Sequence, residues 1–136
     1  MDMGHWQYDG EIPKDCYGFV YEITNITDNR KYIGKKQMVK VVKRPPLKGK
    51  RNKRHIIQES DWKTYTGSSN FLNEAIKQHG MENFSFKILR LCYNKWELSY
   101  YEAELQFKLG VLLSNQYYNG IINCRIGKKP REKTKD

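Results

Sequence analysis

Two tyrosines, Tyr21 and Tyr32, lie eleven residues apart in runs that read as strands, joined by the turn Thr27-Asp28-Asn29-Arg30. A hairpin of that register brings both phenols near each other on one face. Lys35 follows shortly after, and Gly34 before it permits close backbone approach. Eight Lys or Arg residues then fall between Lys40 and Arg54. On a helical wheel Leu98, Tyr101, Leu105, Leu109 and Leu112 form an apolar stripe, and Glu102 falls inside it. A carboxylate there is costly unless a metal offsets its desolvation. These residue types suit phosphodiester hydrolysis. That reaction needs an activated water, a held phosphate, stabilisation of developing charge and relief of the leaving oxygen. A divalent ion such as Mg²⁺ supplies the last two with few protein carboxylates. On their own, two strand tyrosines are more commonly ordinary packing aromatics.

The elements that must position these residues are legible in outline. Residues 1–15 read as a flexible arm broken by Gly4, Gly10 and Pro13. The tyrosine hairpin follows over about 17–35. A basic loop is expected over 37–59, because Pro45-Pro46 forbids a continuous helix there. Ser69 or Asn70 can cap a helix over Phe71–Gln78, ended by Gly80. Alternation of Phe84, Phe86 and Ile88 with Ser85 and Lys87 marks a third strand over 83–91, and a longer helix is expected over about 95–113. Residues 126–136 read as a basic disordered tail. Strand, strand, helix, strand, helix favours an α+β domain over 16–125: a small three-stranded antiparallel sheet flanked by helices.

The segments Gly18-Phe19-Val20-Tyr21 and Tyr32-Ile33-Gly34-Lys35 resemble the two-part signature of the GIY-YIG nuclease superfamily, with Phe-Val-Tyr in the first half and Tyr-Ile-Gly intact in the second. The run Trp62-Lys63-Thr64-Tyr65-Thr66-Gly67-Ser68-Ser69, then Lys77-Gln78-His79-Gly80 and Asn83-Phe84, resembles a phage-encoded, homing-endonuclease-like subset. The resemblance covers about 17–123. It implies a metal-dependent DNA endonuclease with one Mg²⁺ (or Mn²⁺) per active site. It makes Tyr21 a candidate general base, with Tyr32 arranging the water and Lys35 holding the phosphate or assisting Tyr21. It also implies a catalytic arginine after the second motif, often followed by a histidine one turn on. Arg51 and His55 are four apart and would share a helix face if a helix formed; Arg54 and Arg44 remain alternatives. The metal carboxylate is Glu102 by the stripe, or Glu104 by its spacing of fifteen to Asn119. Asn119 would support the metal site, or form a simple Asn-Gly turn with Gly120. Tyr65 to Ser69 reads as scaffold with phosphate contacts.

The formal net charge of +10 favours a polyanionic partner, DNA first and double-stranded in this reading. Lys40, Lys43, Arg44, Lys48, Lys50 and Lys53 are the candidate nucleic-acid contacts. A non-catalytic nucleic-acid-binding module on the same fold is the alternative. Double-strand cutting by one active site would need a homodimer or successive nicks. No apolar run approaches the roughly 20 residues of a membrane span, and residues 1–14 lack the hydrophobic centre of a signal peptide. Three distant cysteines suggest neither a disulfide framework nor a zinc site, and read as buried free thiols. The expected location is a reducing cytoplasm, that of a bacterial host if the chain is phage-encoded.

Overall fold

Alternating apolar residues in the first and third predicted strands build one sheet around a central strand. In a computed structural model, which describes residues 2–131, β1 (Gly18–Asn25) pairs antiparallel with both β2 (Lys31–Gln37) and β5 (Phe84–Cys92), giving the order β2-β1-β5. Phe19, Tyr21 and Ile23 point to one face. There they pack with Phe84, Phe86 and Ile88 and with Leu72 and Ile76 of α1 (Asn70–His79). Val20 and Ile33 point to the other, against Leu98 of α2 (Lys95–Lys108) and Val111. The α+β arrangement is the one the sequence pattern favours. Among the described residues no helix is long and apolar enough to cross a membrane.

Local chemistry sets the helix ends. Ser69 Oγ accepts the Leu72 N–H and starts α1. Asn94 Oδ1 accepts the Glu97 N–H while the Glu97 carboxylate accepts from Tyr93 N–H and Asn94 Nδ2, a reciprocal cap on α2. The last helix is shorter than the expected 95–113. Gly110 takes φ +62°, a left-handed stop, and the chain turns Val111 inward beneath the sheet.

Two other expectations are corrected. The basic segment 37–59 is not a loop: β3 (Val39–Arg44) and β4 (Arg54–Glu59) form a separate two-stranded antiparallel sheet. Pairing of Val41 with Ile57 and of Val42 with Ile56 explains it, since β-branched residues suit a pleated ribbon, and Pro45-Pro46 falls at its turn end. The N-terminal residues are not a loose arm. Trp6 and Ile12 are buried, Gln7 bridges to Lys87 of β5, and the Trp6 indole donates to the Trp62 carbonyl while its ring meets Phe19, Tyr21 and Phe86. Of the cysteines, Cys16 and Cys92 are buried free thiols as expected, whereas Cys124 is exposed. The tail expected over 126–136 runs as coil to 131, with the Trp96 indole donating to the Gly127 carbonyl; 132–136 lie outside the described residues.

Trp6 thus props the ring of Tyr21 from behind. Trp6→Ala is expected to cost about 3–5 kcal/mol of stability, the range for removing a buried aromatic. Thermal unfolding checks it, and an unchanged midpoint would contradict the packing role.

Candidate active site

β2 is an edge strand, so its outward N–H and C=O groups need partners from elsewhere. At Lys31 the chain itself supplies them: Lys31 N–H donates to the Gln116 carbonyl and Tyr118 N–H to the Lys31 carbonyl. At Ile33 side chains take over. Asn119 Oδ1 accepts the Ile33 N–H at 3.0 Å, and its Nδ2 donates to the Ile33 carbonyl at 2.8 Å, which also accepts Gln106 Nε2 at 2.9 Å. At Lys35, the next outward position, the Glu102 carboxylate lies near the backbone N–H, which favours its charged form. Three side chains of the C-terminal half are therefore drawn to the β2 edge by its unpaired backbone. Asn119 is not a bare turn residue; it mimics a pairing strand.

Gly34 lets the two faces of the sheet meet at that edge. Tyr21 lies opposite it in register, and a Cβ on Gly34 would sit 2.6 Å from Tyr21 Cζ and 2.9 Å from Tyr32 Cε1. Without that Cβ the Tyr21 ring crosses the strand. Tyr21 and Tyr32 ring centroids are 6.2 Å apart, and Tyr65 meets Tyr21 edge-on at 6.3 Å. Gly67, at φ +88°, carries the following turn close past both phenols, bringing Ser68 Oγ to 3.4 Å from Tyr32 Oη.

The result is a cavity of about 240 Å³ lined by Tyr21, Tyr32, Lys35, Tyr65, Glu102 and Gln106, with Ser68, Ile121 and Asn123 at its margin. Lys35 Nζ donates to Ser99 Oγ at 3.0 Å and stands 3.9 Å from Glu102 Oε1. The Glu102 side chain retains 13% exposure, whereas Glu104 is exposed and lines a different, apolar hollow with Trp96, Tyr100 and Phe107. Burial raises the Glu102 carboxyl above its ordinary range, against the opposing pull of the Lys35 cation and backbone N–H. Burial likewise raises both phenols, Tyr21 well above the ordinary tyrosine value, with Tyr32, Tyr65 and Glu102 adding to it. The cavity is a place where charge is disfavoured unless a cation arrives.

Its donor set fits a hydrated divalent ion. Gln106 is 4% exposed; its Nε2 is committed to Ile33, and its Oε1 is buried without a partner among the described residues. Such an orphaned acceptor calls for a ligand. One turn away on the same helix stands the Glu102 carboxylate. Among the described residues no group of three His, Cys, Asp or Glu could form a closed protein cage. One carboxylate and one amide oxygen suit Mg²⁺, which keeps most of its waters.

Tyr21, Tyr32, Gly34, Lys35, Glu102 and Asn119 are thus brought together. Arg51, Arg54 and His55 are not. Arg51 sits in the turn between β3 and β4, and Arg54 and His55 begin β4, opposite Arg44 and Lys43. No helix forms there, so Arg51 and His55 share no helix face; the β-branched pairs further down the ribbon hold the chain extended. All three are exposed, as are Lys40, Lys43, Arg44, Lys48, Lys50 and Lys53. Among the described residues lining the cavity, Lys35 is the only cation. Gln106 does not stand out in the sequence, because a polar amide one turn after Glu102 is ordinary on a helix. Asn123 carries no signal either.

Comparison with known proteins gives one family and one relative. The family described as "Putative endonuclease segE, GIY-YIG domain" matches residues 3–122. A protein of Enterobacteria phage T4 named "Putative endonuclease segE" is 32% identical over 103 residues, covering 76% of this chain. The match spans 40% of that phage protein's length. No solved structure matches.

Proposed function

The chain belongs to the GIY-YIG endonuclease family, and from that premise we propose that it hydrolyses phosphodiester bonds of double-stranded DNA with one Mg²⁺ or Mn²⁺ ion. The observation that carries this reading is the convergence of two phenols, one lysine, one carboxylate and one unpartnered amide oxygen on a single cavity at the β2 edge. Glu102 would hold the ion through its carboxylate, and Gln106 Oε1 would be a second, neutral oxygen ligand. When bound, the ion supplies neutralisation of charge developing on the phosphate and relief of the leaving oxygen.

The remaining roles follow from position. Tyr21 takes the proton of the attacking water as its phenolate. Burial disfavours that phenolate, so the phenol must first lose its own proton to solvent with positive charge beside it, which Lys35 supplies in the shared cavity. Tyr32 and Ser68 orient that water. Lys35, fixed by Ser99, braces the phosphate, the role that the family resemblance assigns to an arginine. Asn119 keeps β2 in register so that Gly34 stays under the Tyr21 ring. Lys40, Lys43, Arg44, Lys48, Lys50, Arg51, Lys53 and Arg54 attract the DNA backbone from outside the cavity.

Supercoiled plasmid incubated with the protein in Mg²⁺ is expected to be nicked, and the nicking to stop in EDTA. Salt-dependent binding without nicking in either buffer would instead favour a non-catalytic binding module.

Gln106→Leu should raise the Mg²⁺ concentration needed for half-maximal cleavage by about 10–100-fold, the usual cost of removing a group that supports a metal. Because Leu also removes the bond to Ile33, Gln106→Glu serves as control. It restores an oxygen and should recover Mn²⁺ binding measured by electron paramagnetic resonance. Equal Mn²⁺ binding by wild type and Gln106→Leu would remove Gln106 from the site.

A further inference from the structure

The β3–β4 ribbon has two unlike faces. Pairing runs Val39 with Glu59, Lys40 with Gln58, Val41 with Ile57, Val42 with Ile56, Lys43 with His55 and Arg44 with Arg54. Side chains alternate along each strand, so Val42, Ile56 and Gln58 share one face and are half-buried there, with Lys40, Arg44 and Arg54 exposed on the same side. Val41 and Ile57 share the other with Lys43 and His55, and remain 64% and 72% exposed. Two paired aliphatic side chains in open water, on a two-stranded sheet, form a face without a partner among the described residues.

Charge says what covers it. From Lys40 to Arg54 the ribbon and its turn carry eight Lys or Arg and no Asp or Glu; the ribbon's one acid, Glu59, lies at its root, on the Val41 and Ile57 face. Such a density fits a polyanion rather than a second copy of this chain, whose ribbon would repel it. The ribbon is also tethered to the cavity. Its root begins at Gln37, two residues past Lys35. Met38 N–H donates to the Tyr17 carbonyl, Ser60 N–H to the Met38 carbonyl, and Lys36 pairs with Asp61 at 2.6 Å. Six residues per strand give a reach of about 20 Å, or about six base pairs at roughly 3.4 Å each. The major groove, about 12 Å wide, admits a two-stranded ribbon; the minor groove, about 6 Å wide, would first have to be widened at a cost in DNA deformation.

We propose that the β3–β4 ribbon enters the major groove of duplex DNA within about six base pairs of the phosphate nearest the cavity, with Val41 and Ile57 against the base edges and Lys43, together with Arg44 and Arg54 at the turn end of the opposite face, reaching the flanking phosphates. This rests on the reading of the chain as a DNA-acting protein, but not on its cleaving DNA. Aliphatic contact in that groove favours thymine, through its methyl group. The ribbon would therefore give sequence preference to a catalytic domain whose cavity contacts only phosphate and water.

The test is binding in EDTA, read by fluorescence anisotropy on a labelled duplex and on its single strand. Val41→Ser/Ile57→Ser is expected to weaken duplex binding about tenfold, with the salt dependence and the single-strand affinity unchanged. Lys43→Gln/Arg44→Gln/Arg54→Gln is expected to make the plot of log affinity against log salt shallower by about 0.9 for each phosphate that is no longer neutralised. Methylation interference on the DNA needs no protein variant: guanine N7 in the major groove should interfere. Duplex binding by the Val41→Ser/Ile57→Ser protein equal to wild type, or interference confined to adenine N3 in the minor groove, would overturn the proposal. Loss of plasmid nicking with groove binding intact would count only against the enzymatic reading.

Discussion

Glu102→Gln is expected to slow Mg²⁺-dependent DNA cleavage by at least about a thousandfold, some 4 kcal/mol of barrier, while Glu104→Gln stays within about twofold of wild type. The substitution keeps the shape of the side chain and removes the one carboxylate in the cavity, whereas Glu104 is exposed on another face of α2. The same change should stabilise the protein without metal. Folding raises the Glu102 carboxyl above its ordinary value of 4.5 by burying it. Between 4.5 and the raised value the folded chain keeps a proton that the unfolded chain has lost, so stability falls as pH rises through that window and stays lowered above it. Glutamine has no proton to lose. At neutral pH the Glu102→Gln protein should therefore melt higher than wild type in EDTA, and added Mg²⁺ should narrow the gap by stabilising only the wild type. Equal melting in EDTA with equal cleavage would remove Glu102 from the metal site.

Tyr21→Phe should lower the cleavage rate by about 10²–10⁴-fold, the range for losing a positioned general base, with little loss of stability. Phenylalanine preserves the ring that lies over Gly34 and against Trp6, and deletes only the hydroxyl. Tyr32→Phe, which gives up a long hydrogen bond to Ser68, should cost less. The pH profile separates the two. At sub-saturating Mg²⁺ the wild-type rate should rise through an acid limb, because Glu102 must ionise to take the ion. It should keep rising on the alkaline side, because burial raises the Tyr21 phenol well above its ordinary value. In Tyr21→Phe the alkaline rise should flatten while the acid limb stays. An unaltered alkaline limb would assign the proton transfer to another group.

The central sheet and the tyrosine pair are legible in the sequence because strand alternation and turn chemistry are local: Phe84, Phe86 and Ile88 declare their face without reference to the rest of the chain. The ribbon is hidden because Pro45-Pro46 and the lysine run dominate that segment. The pairing of Val41 with Ile57 spans sixteen residues and has no local signature. The shared helix face that would have joined Arg51 and His55 does not form, for the same reason. Around Trp6, Gly4, Gly10 and Pro13 argue for a loose arm, yet a single tryptophan reaching Phe19, Tyr21 and Phe86 is enough to dock it. Within the candidate site, Glu102 stands out as a charge inside an apolar stripe. Gln106 does not, because an amide excites no such contradiction in a helix. Its significance appears only when Nε2 is committed to the β2 edge and Oε1 is left bare.

If the protein cleaves DNA as proposed, the cavity at Gly34 must hold one divalent ion against a DNA phosphate. Crystals of the protein with a duplex bearing a non-hydrolysable linkage, grown in Mn²⁺ and measured at its absorption edge, show this directly. One anomalous peak per chain is expected, about 2.1 Å from a Glu102 carboxylate oxygen, with Tyr21 and Lys35 facing the bound phosphate. A peak at Glu104, or a scissile phosphate seated away from the Tyr21–Tyr32 pair with no ion in the cavity, would refute it.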